Sequence, residues 1–433
     1  MTNGIANGWV APTLKHFEKG GDFGVVTKSQ ISWIASLEDF GKIFGAVFAA
    51  LVLDILGRRP LLASVALIFF LIWLATAFTN SIQVLCMIRF IAGVFAGINE
   101  GSNSIYLAEN SSPRIRPVCG SFIITVYFFG LIGEFFVATY LPYKTTLIIN
   151  AVVSFLAFLS VFCMKESVQY TLMKGRESKA AKDFAWLRGI SASNPEIELE
   201  FEKIKQNVSS ENSLKSSLMK TISTPVNYRS LAIVVILYSL AGSVGYFPMM
   251  WYASMTFTST NMLTSNEFTI LFGIVQTIVV IPTSFVIGRI NRRSLILTCF
   301  SLITLSHLAT ASLYYANQHI TNIPHFPWLT FSTITFFASV YAFMYPGIFL
   351  IRGELFPLSV KALGGCLSIM SYSATSFFTT KIFLFMSDKF GVEVNFVIFA
   401  LLSSITIVFV YFFLPETKNK SLIQIQESLT KVR

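Results

Sequence analysis

Apolar residues in this chain come in long unbroken runs, without the alternation of a strand or the one-sided stripe of a soluble helix. The runs occupy residues 31–53, 61–79, 83–107, 119–141 and 146–164, then 230–255, 267–287, 294–316, 328–351, 362–386 and 394–414. Each is near the ~20 residues that cross a hydrocarbon core. Lipid offers backbone N–H and C=O groups no partner, so each run is predicted to be a helix. The pattern predicts an all-α polytopic membrane protein with about eleven full spans, five before residue 165 and six after residue 229. Residues 1–17 hold too few apolar positions to span and lack the basic-then-apolar order of a signal peptide. They read as the outer end of a helix whose first half is missing, so the first helix is expected to be truncated.

The polar stretch 165–229 carries eleven Lys/Arg and eight Asp/Glu, the composition of a solvated segment. The expected organisation is an N-terminal helical bundle (1–164), a central loop with short helices (165–229), a C-terminal bundle (230–414) and a tail (415–433). Arg58, Arg59, Arg116, Arg289, Arg292, Arg293, Lys418 and Lys420 all fall on the side of the central stretch. Excess Lys and Arg mark cytoplasmic loops, so the central loop and the C-terminus are expected in the cytoplasm.

Composition closes other routes. Hydrophobic residues make up 54% and charged residues 12%, about half the charge of an ordinary soluble domain. A soluble enzyme is excluded. The net charge of +10 follows from positive-inside loops and does not call for nucleic acid. The five cysteines have no CxxC spacing and the four histidines no ligand spacing, so neither a metal nor a cofactor is expected.

Three motifs recur in order. DILGRR (54–59) returns as GRINRR (288–293), YLAE (106–109) as RGELFP (352–357), and KES (165–167) as PET (415–417). With RFIAG (89–93), YLAENSSPRIR (106–116), GELFPLSVKALGG (353–365) and PETKNKSLIQI (415–425), the chain resembles the sugar porter family of the major facilitator superfamily. Its nearest likeness is to insect facilitated trehalose or glucose transporters. That resemblance implies two pseudo-repeated six-helix bundles, a plasma-membrane location, a sugar substrate (hexose or trehalose) beside the lipid bilayer, and transport by alternating access. It also implies a cytoplasmic gate of Asp54, Arg58, Arg59, Glu109, Arg116 and Glu166 in the first half. Arg292, Arg293, Glu354, Lys361 and Glu416 would serve in the second. Gly288 stands where the repeat would put an acid, and Lys361 where the family has arginine, so the second clamp is expected to be looser.

A sugar needs amide and hydroxyl groups and an aromatic face in mid-membrane. Gln276 keeps the family's amide, while Ile124, Phe349 and Tyr372 replace a Gln, a Trp and an Asn. The candidate site is therefore Gln276 with Tyr127, Ser243, Tyr246, Phe349 and Tyr372. Charges inside the runs are candidates by default. Glu38 and Lys42 lie one turn apart and are expected to pair, Glu100 and Glu134 have no partner visible in sequence, and Lys381 is expected to reach the interface. Proton-coupled sugar porters carry an acid on the first helix, where this chain has Ala6. Passive facilitation is expected. Another small solute on the same fold, or a sensor that no longer transports, are the remaining readings.

Overall fold

The computed structural model describes residues 1–18, 20, 23–24, 26–112, 115–189, 195–214, 225–320, 322–356, 361–418, 420 and 424. Among these the regular structure is helical throughout. The first half comprises α1 (Thr2–Gly8), α2 (Val10–Glu18), α3 (Lys28–Leu56), α4 (Arg58–Phe78), α5 (Ile82–Asn110), α6 (Arg116–Tyr140) and α7 (Tyr143–Val161). Three helices follow, α8 (Val168–Met173), α9 (Glu177–Arg188) and α10 (Pro195–Leu214). The second half comprises α11 (Pro225–Ser243), α12 (Tyr246–Trp251), α13 (Ala253–Thr256), α14 (Ser265–Val286), α15 (Arg292–His319), α16 (Phe326–Leu355), α17 (Lys361–Phe390) and α18 (Val392–Phe413).

Among the described residues nine stretches are long and apolar enough to cross a membrane. To these α3 adds 29 residues and α17 adds 30. Helix α3 carries Glu38, Asp39 and Lys42 in its interior, and α17 is rich in Ser and Thr. Large apolar side chains point outward along the helices, among them Phe78, Phe122, Phe285, Leu401 and Phe412, with Phe78 83% exposed. Such a surface suits lipid, not water.

The run at 230–255 is not one helix, which corrects the sequence reading. Helix α11 ends at Ser243, and Gly245 takes φ +86° in the left-handed region before α12 begins. Hydropathy registers no interruption because the residues on both sides remain apolar. Residues 2–18 form two helical pieces with Ile5, Trp9, Val10, Ala11 and Leu14 buried. Helices α8 to α10 close a small core of their own around Val168, Leu172, Ala180, Phe184 and Val208.

Within the first half α3 lies on α5, α4 on α7 and α1 on α6; within the second, α15 lies on α16 and α18, and α11 on α17. The halves meet where α3 packs on α17 and α6 on α14. The α3–α5 approach depends on missing side chains. A Cβ on Gly41 would sit 2.2 Å from the Phe90 carbonyl oxygen, and one on Gly93 would sit 2.0 Å from that of Glu38. Small residues spaced by four let helix backbones touch, and here they seat Glu38 beside the next helix.

Candidate functional site

Helix direction puts the repeated motifs at one end of the bundle, with the central segment. At this motif end, Arg58 spans the Glu109 carboxylate, Nε to Oε2 at 2.9 Å and Nη2 to Oε1 at 2.8 Å. Its Nη1 donates to Asp54 Oδ1 at 3.2 Å and to the Leu53 carbonyl. Glu166 accepts from the backbone N–H groups of Arg58 and Arg59 at 3.1 Å. The carboxylate thereby satisfies the unpaired first turn of α4 and meets its positive dipole end. Arg59 donates to the carbonyls of Val161 and Phe162, and Ser167 Oγ donates to Glu109.

The second half repeats these contacts. Glu416 accepts from the N–H groups of Arg292 and Arg293, Arg293 donates to the Tyr411 carbonyl, and Thr417 Oγ1 donates to Glu354. Arg292, however, places both Nε and Nη2 on one Glu354 oxygen, at 3.4 and 3.2 Å. The side chains of Arg116 and Lys361 lie outside the described residues. These ion pairs each close within one half.

A second charge cluster lies buried at the seam. Glu38 Oε2 is 2.7 Å from Arg89 Nη2, and Lys42 Nζ is 3.4 Å from Glu38 and 3.0 Å from Asp39. All four residues are buried, and two cations against two anions leave the cluster neutral. Arg89 also donates to the carbonyls of Ile34 and Ala6 and lies against the Trp9 ring. Ala6 thus offers Arg89 only a carbonyl; the carboxylate facing it comes from α3. The cluster reaches the other half. Ser376 on α17 donates to Asp39, and Lys42 lies over the rings of Phe247 and Trp251 at 5.5 and 5.9 Å.

Lys381 lies 3.7 Å from the Trp33 ring centre and donates to Ser32 Oγ at 2.8 Å, near the start of α3 at the end opposite the motifs. Glu134, unpartnered in sequence, accepts from Asn150 Nδ2 at 2.8 Å. Glu100 is half-buried.

The centre of the second half is a connected aromatic network. Tyr246 donates to Gln276 Oε1 at 2.8 Å and stacks on Tyr341 at 4.4 Å. Tyr341 donates to the Ala241 carbonyl at 3.0 Å, and its hydroxyl lies 2.9 Å from that of Tyr372. Phe247 and Tyr345 stand against Tyr372. The carbonyl of Ala241 is near the break in the α11 line, so the broken helix and the network belong together. Tyr127, on the first half, accepts from Asn7 Nδ2 at 2.8 Å and donates to Met250 Sδ at 3.8 Å.

The structure therefore joins Gln276, Tyr246 and Tyr372, and sets Tyr127 against α12. It does not bring in the other two candidates. Ser243 Oγ donates to the Leu240 carbonyl of its own helix, and Phe349 lies against the Arg352 guanidinium at 4.6 Å. The sequence reading named Arg89 only as part of the RFIAG motif and gave no role to it, to Asn7 or to Tyr341. An arginine within an apolar run was the signal for the first; the other two resemble ordinary packing until their neighbours are known.

Compared with known proteins, the chain matches the family model described as "Sugar (and other) transporter" over residues 7–429. It is 24% identical to the facilitated trehalose transporter Tret1 of Bombyx mori over 99% of this chain and 84% of that protein. Against the same-named protein of Apis mellifera ligustica the values are 22%, 93% and 80%. Among solved structures it resembles the proton:xylose symporter XylE bound to 6-bromo-6-deoxy-D-glucose, with TM-score 0.79, 16% identity, and coverage of 99% and 97% of the two chains. An inward-open structure of the xylose transporter XylE from E. coli gives TM-score 0.80 at 15% identity, with the same coverage.

Proposed function

This chain belongs to the sugar (and other) transporter family, and from that premise we propose that it carries a hexose or trehalose across the membrane by alternating access. It is a multi-pass membrane protein with the major facilitator fold, a transporter and not an enzyme. In this reading the solute moves down its own gradient at the plasma membrane, with the motif end, the central segment and the tail in the cytoplasm.

The observation that carries the reading is where the halves are joined. Lys28–Asp388 (2.6 Å), Ser32–Lys381, Asp39–Ser376, Tyr140–Glu267 and Tyr127–Met250 run from the end opposite the motifs to the middle. The motif-end ion pairs close within their own halves. Among the described residues these joining contacts gather on the side away from the motifs, as in a carrier closed to the outside. Opening outward breaks the Asp39 and Lys381 contacts, and the motif ends then approach each other as the gate.

Gln276 and the tyrosines supply hydroxyl and amide partners with an aromatic face, the chemistry a sugar ring needs. Proteoliposomes holding the full chain should take up radiolabelled trehalose or D-glucose saturably, with no loss on adding a protonophore. Gln276→Leu should raise KM about five- to a hundred-fold. Absence of uptake of both sugars by correctly inserted protein would overturn the reading. Uptake abolished by the protonophore would replace facilitation with proton coupling.

A further inference from the structure

We propose that Asn7 is a solute-binding residue, and that the transported sugar bridges it to Gln276, so that each half contributes one amide. This rests on the transport reading above and names a residue that reading does not contain.

The backbone sets the position. A Cβ on Gly4 would lie 2.0 Å from the Tyr127 carbonyl oxygen, so α1 is pressed onto α6 and Asn7, nearly one turn on, lies beside the Tyr127 side chain. Tyr127 has one hydroxyl proton, and it goes to Met250 Sδ. Tyr127 accepts from Asn7 Nδ2 at 2.8 Å. In this arrangement Asn7 Oδ1 has no partner among the described residues, in a residue only 4% exposed.

Gln276 is the complement. Its Oε1 is taken by the Tyr246 hydroxyl, and its Nε2, fully buried, has no partner among the described residues. One half thus presents a spare acceptor and the other a spare donor, each on an amide held by a tyrosine. Tyr127 touches Met250 Sδ across the seam, and Met250 follows Tyr246 by one turn of α12. The two amide–tyrosine pairs are thus linked through α12.

Buried amide atoms are ordinarily satisfied, and leaving two open at the seam of a carrier costs stability that a ligand restores. A polyol has the chemistry to complete both: one hydroxyl would donate to Asn7 Oδ1, and another oxygen would accept from Gln276 Nε2. A solute held in this way touches both halves at once and must release one amide when the halves part.

The test is proteoliposome uptake with the full chain, using trehalose, D-glucose and the monodeoxyfluoro series of whichever sugar is carried. Fluorine removes a hydroxyl's proton while keeping its size, so it reports on the bond to Asn7 Oδ1. For the unmodified protein, fluorination at one ring position should raise KM roughly five- to a hundred-fold. Asn7→Leu should raise the KM of the parent sugar by a similar factor with kcat nearly unchanged, and should become indifferent to fluorine at that position. If Asn7→Leu fails to insert, Asn7→Ser, which retains a shorter acceptor, should show a smaller KM increase and a reduced fluorine penalty. Tyr127→Phe, which frees the Asn7 amide, should lie between. An unchanged KM in Asn7→Leu or Asn7→Ser, or a fluorine penalty equal to that of the unmodified protein, would overturn the inference while leaving the transport reading in place. Failure of the unmodified protein to carry either sugar would overturn both.

Discussion

The two halves build the same corner at the motif end with different fittings. In the first, Arg58 grips both oxygens of a Glu109 side chain that is 8% exposed and adds Asp54 from one turn before. In the second, Arg292 reaches a single oxygen of Glu354, 28% exposed, and turns its remaining nitrogen to the carbonyls of Ile287 and Ile290 at 2.7 and 2.8 Å. The cause is local. Gly288 stands where Asp54 does; the chain from Ile287 to Arg289 forms a 3-10 turn, and the carbonyl of Ile290 just after it takes the guanidinium nitrogen that Asp54 takes in the first half. A shared backbone plan thus tolerates a change of partner, because Glu166 and Glu416 keep capping their helices in both halves. The inner surfaces differ more deeply. The first half is ionic at its seam, with Glu38, Asp39, Lys42 and Arg89; the second is built from tyrosine hydroxyls around Gln276.

The sharpest way to break this contrast is Arg89→Leu. It leaves Glu38 facing Lys42 alone in a buried site, and loss of one partner from a buried pair costs about 3–5 kcal/mol. The expected outcome is a large fall in thermal stability of the detergent-solubilised protein, followed by fluorescence-detected size exclusion. Adding Glu38→Gln should recover part of the loss; a small loss with no recovery would show that water already reaches the pair. Next come Glu109→Gln and Glu354→Gln, measured in parallel by the same melting assay. The first removes half of a bidentate, buried contact and should cost about 2 kcal/mol; the second breaks a longer, more exposed one and should cost about 1 kcal/mol or less. Equal effects would erase the asymmetry.

In the second half, Tyr341→Phe removes the bonds to the Ala241 carbonyl and the Tyr372 hydroxyl. It should cost about 0.5–1.5 kcal/mol and loosen the network around Gln276, seen as a modest increase in KM. The smallest effect expected is a gain. A Cβ on Gly288 meets nothing within 4 Å, so Gly288→Asp can restore the carboxylate one turn before Arg292. The gain should be at most about 1 kcal/mol and should shrink as salt is raised.

Much of the fold was legible in the runs. Spanning segments, the polar interval and the paired motifs follow from hydropathy and from residues that recur in order, and both are properties of short stretches. The break at Gly245 was not legible, because glycine within an apolar stretch is common in membrane helices and only the backbone angle distinguishes a bend. For the candidate site, Gln276 could be named in advance from the family's amide and Tyr246 from its residue type. Ser243 and Phe349 could be named equally well, yet one bonds its own helix and the other lies under Arg352. Candidate chemistry depends on residue type, while participation depends on the direction in which a side chain points.

By itself the sequence determined that this chain must live in a membrane as helices, because its long apolar runs leave the backbone no other means of satisfying its hydrogen bonds. It also determined that the repeated motifs lie at one end, because clustered Arg and Glu cannot be placed in lipid without cost. Tertiary structure alone decided the partners: that Glu38, not an acid on the first helix, meets Arg89, that Asp39 is held by Ser376, and that Asn7 and Gln276 are each held by a tyrosine. Those pairings join residues up to several hundred positions apart. They arise only when glycine-lined helices pack closely enough for particular side chains to meet, and no local property of the chain encodes that distance.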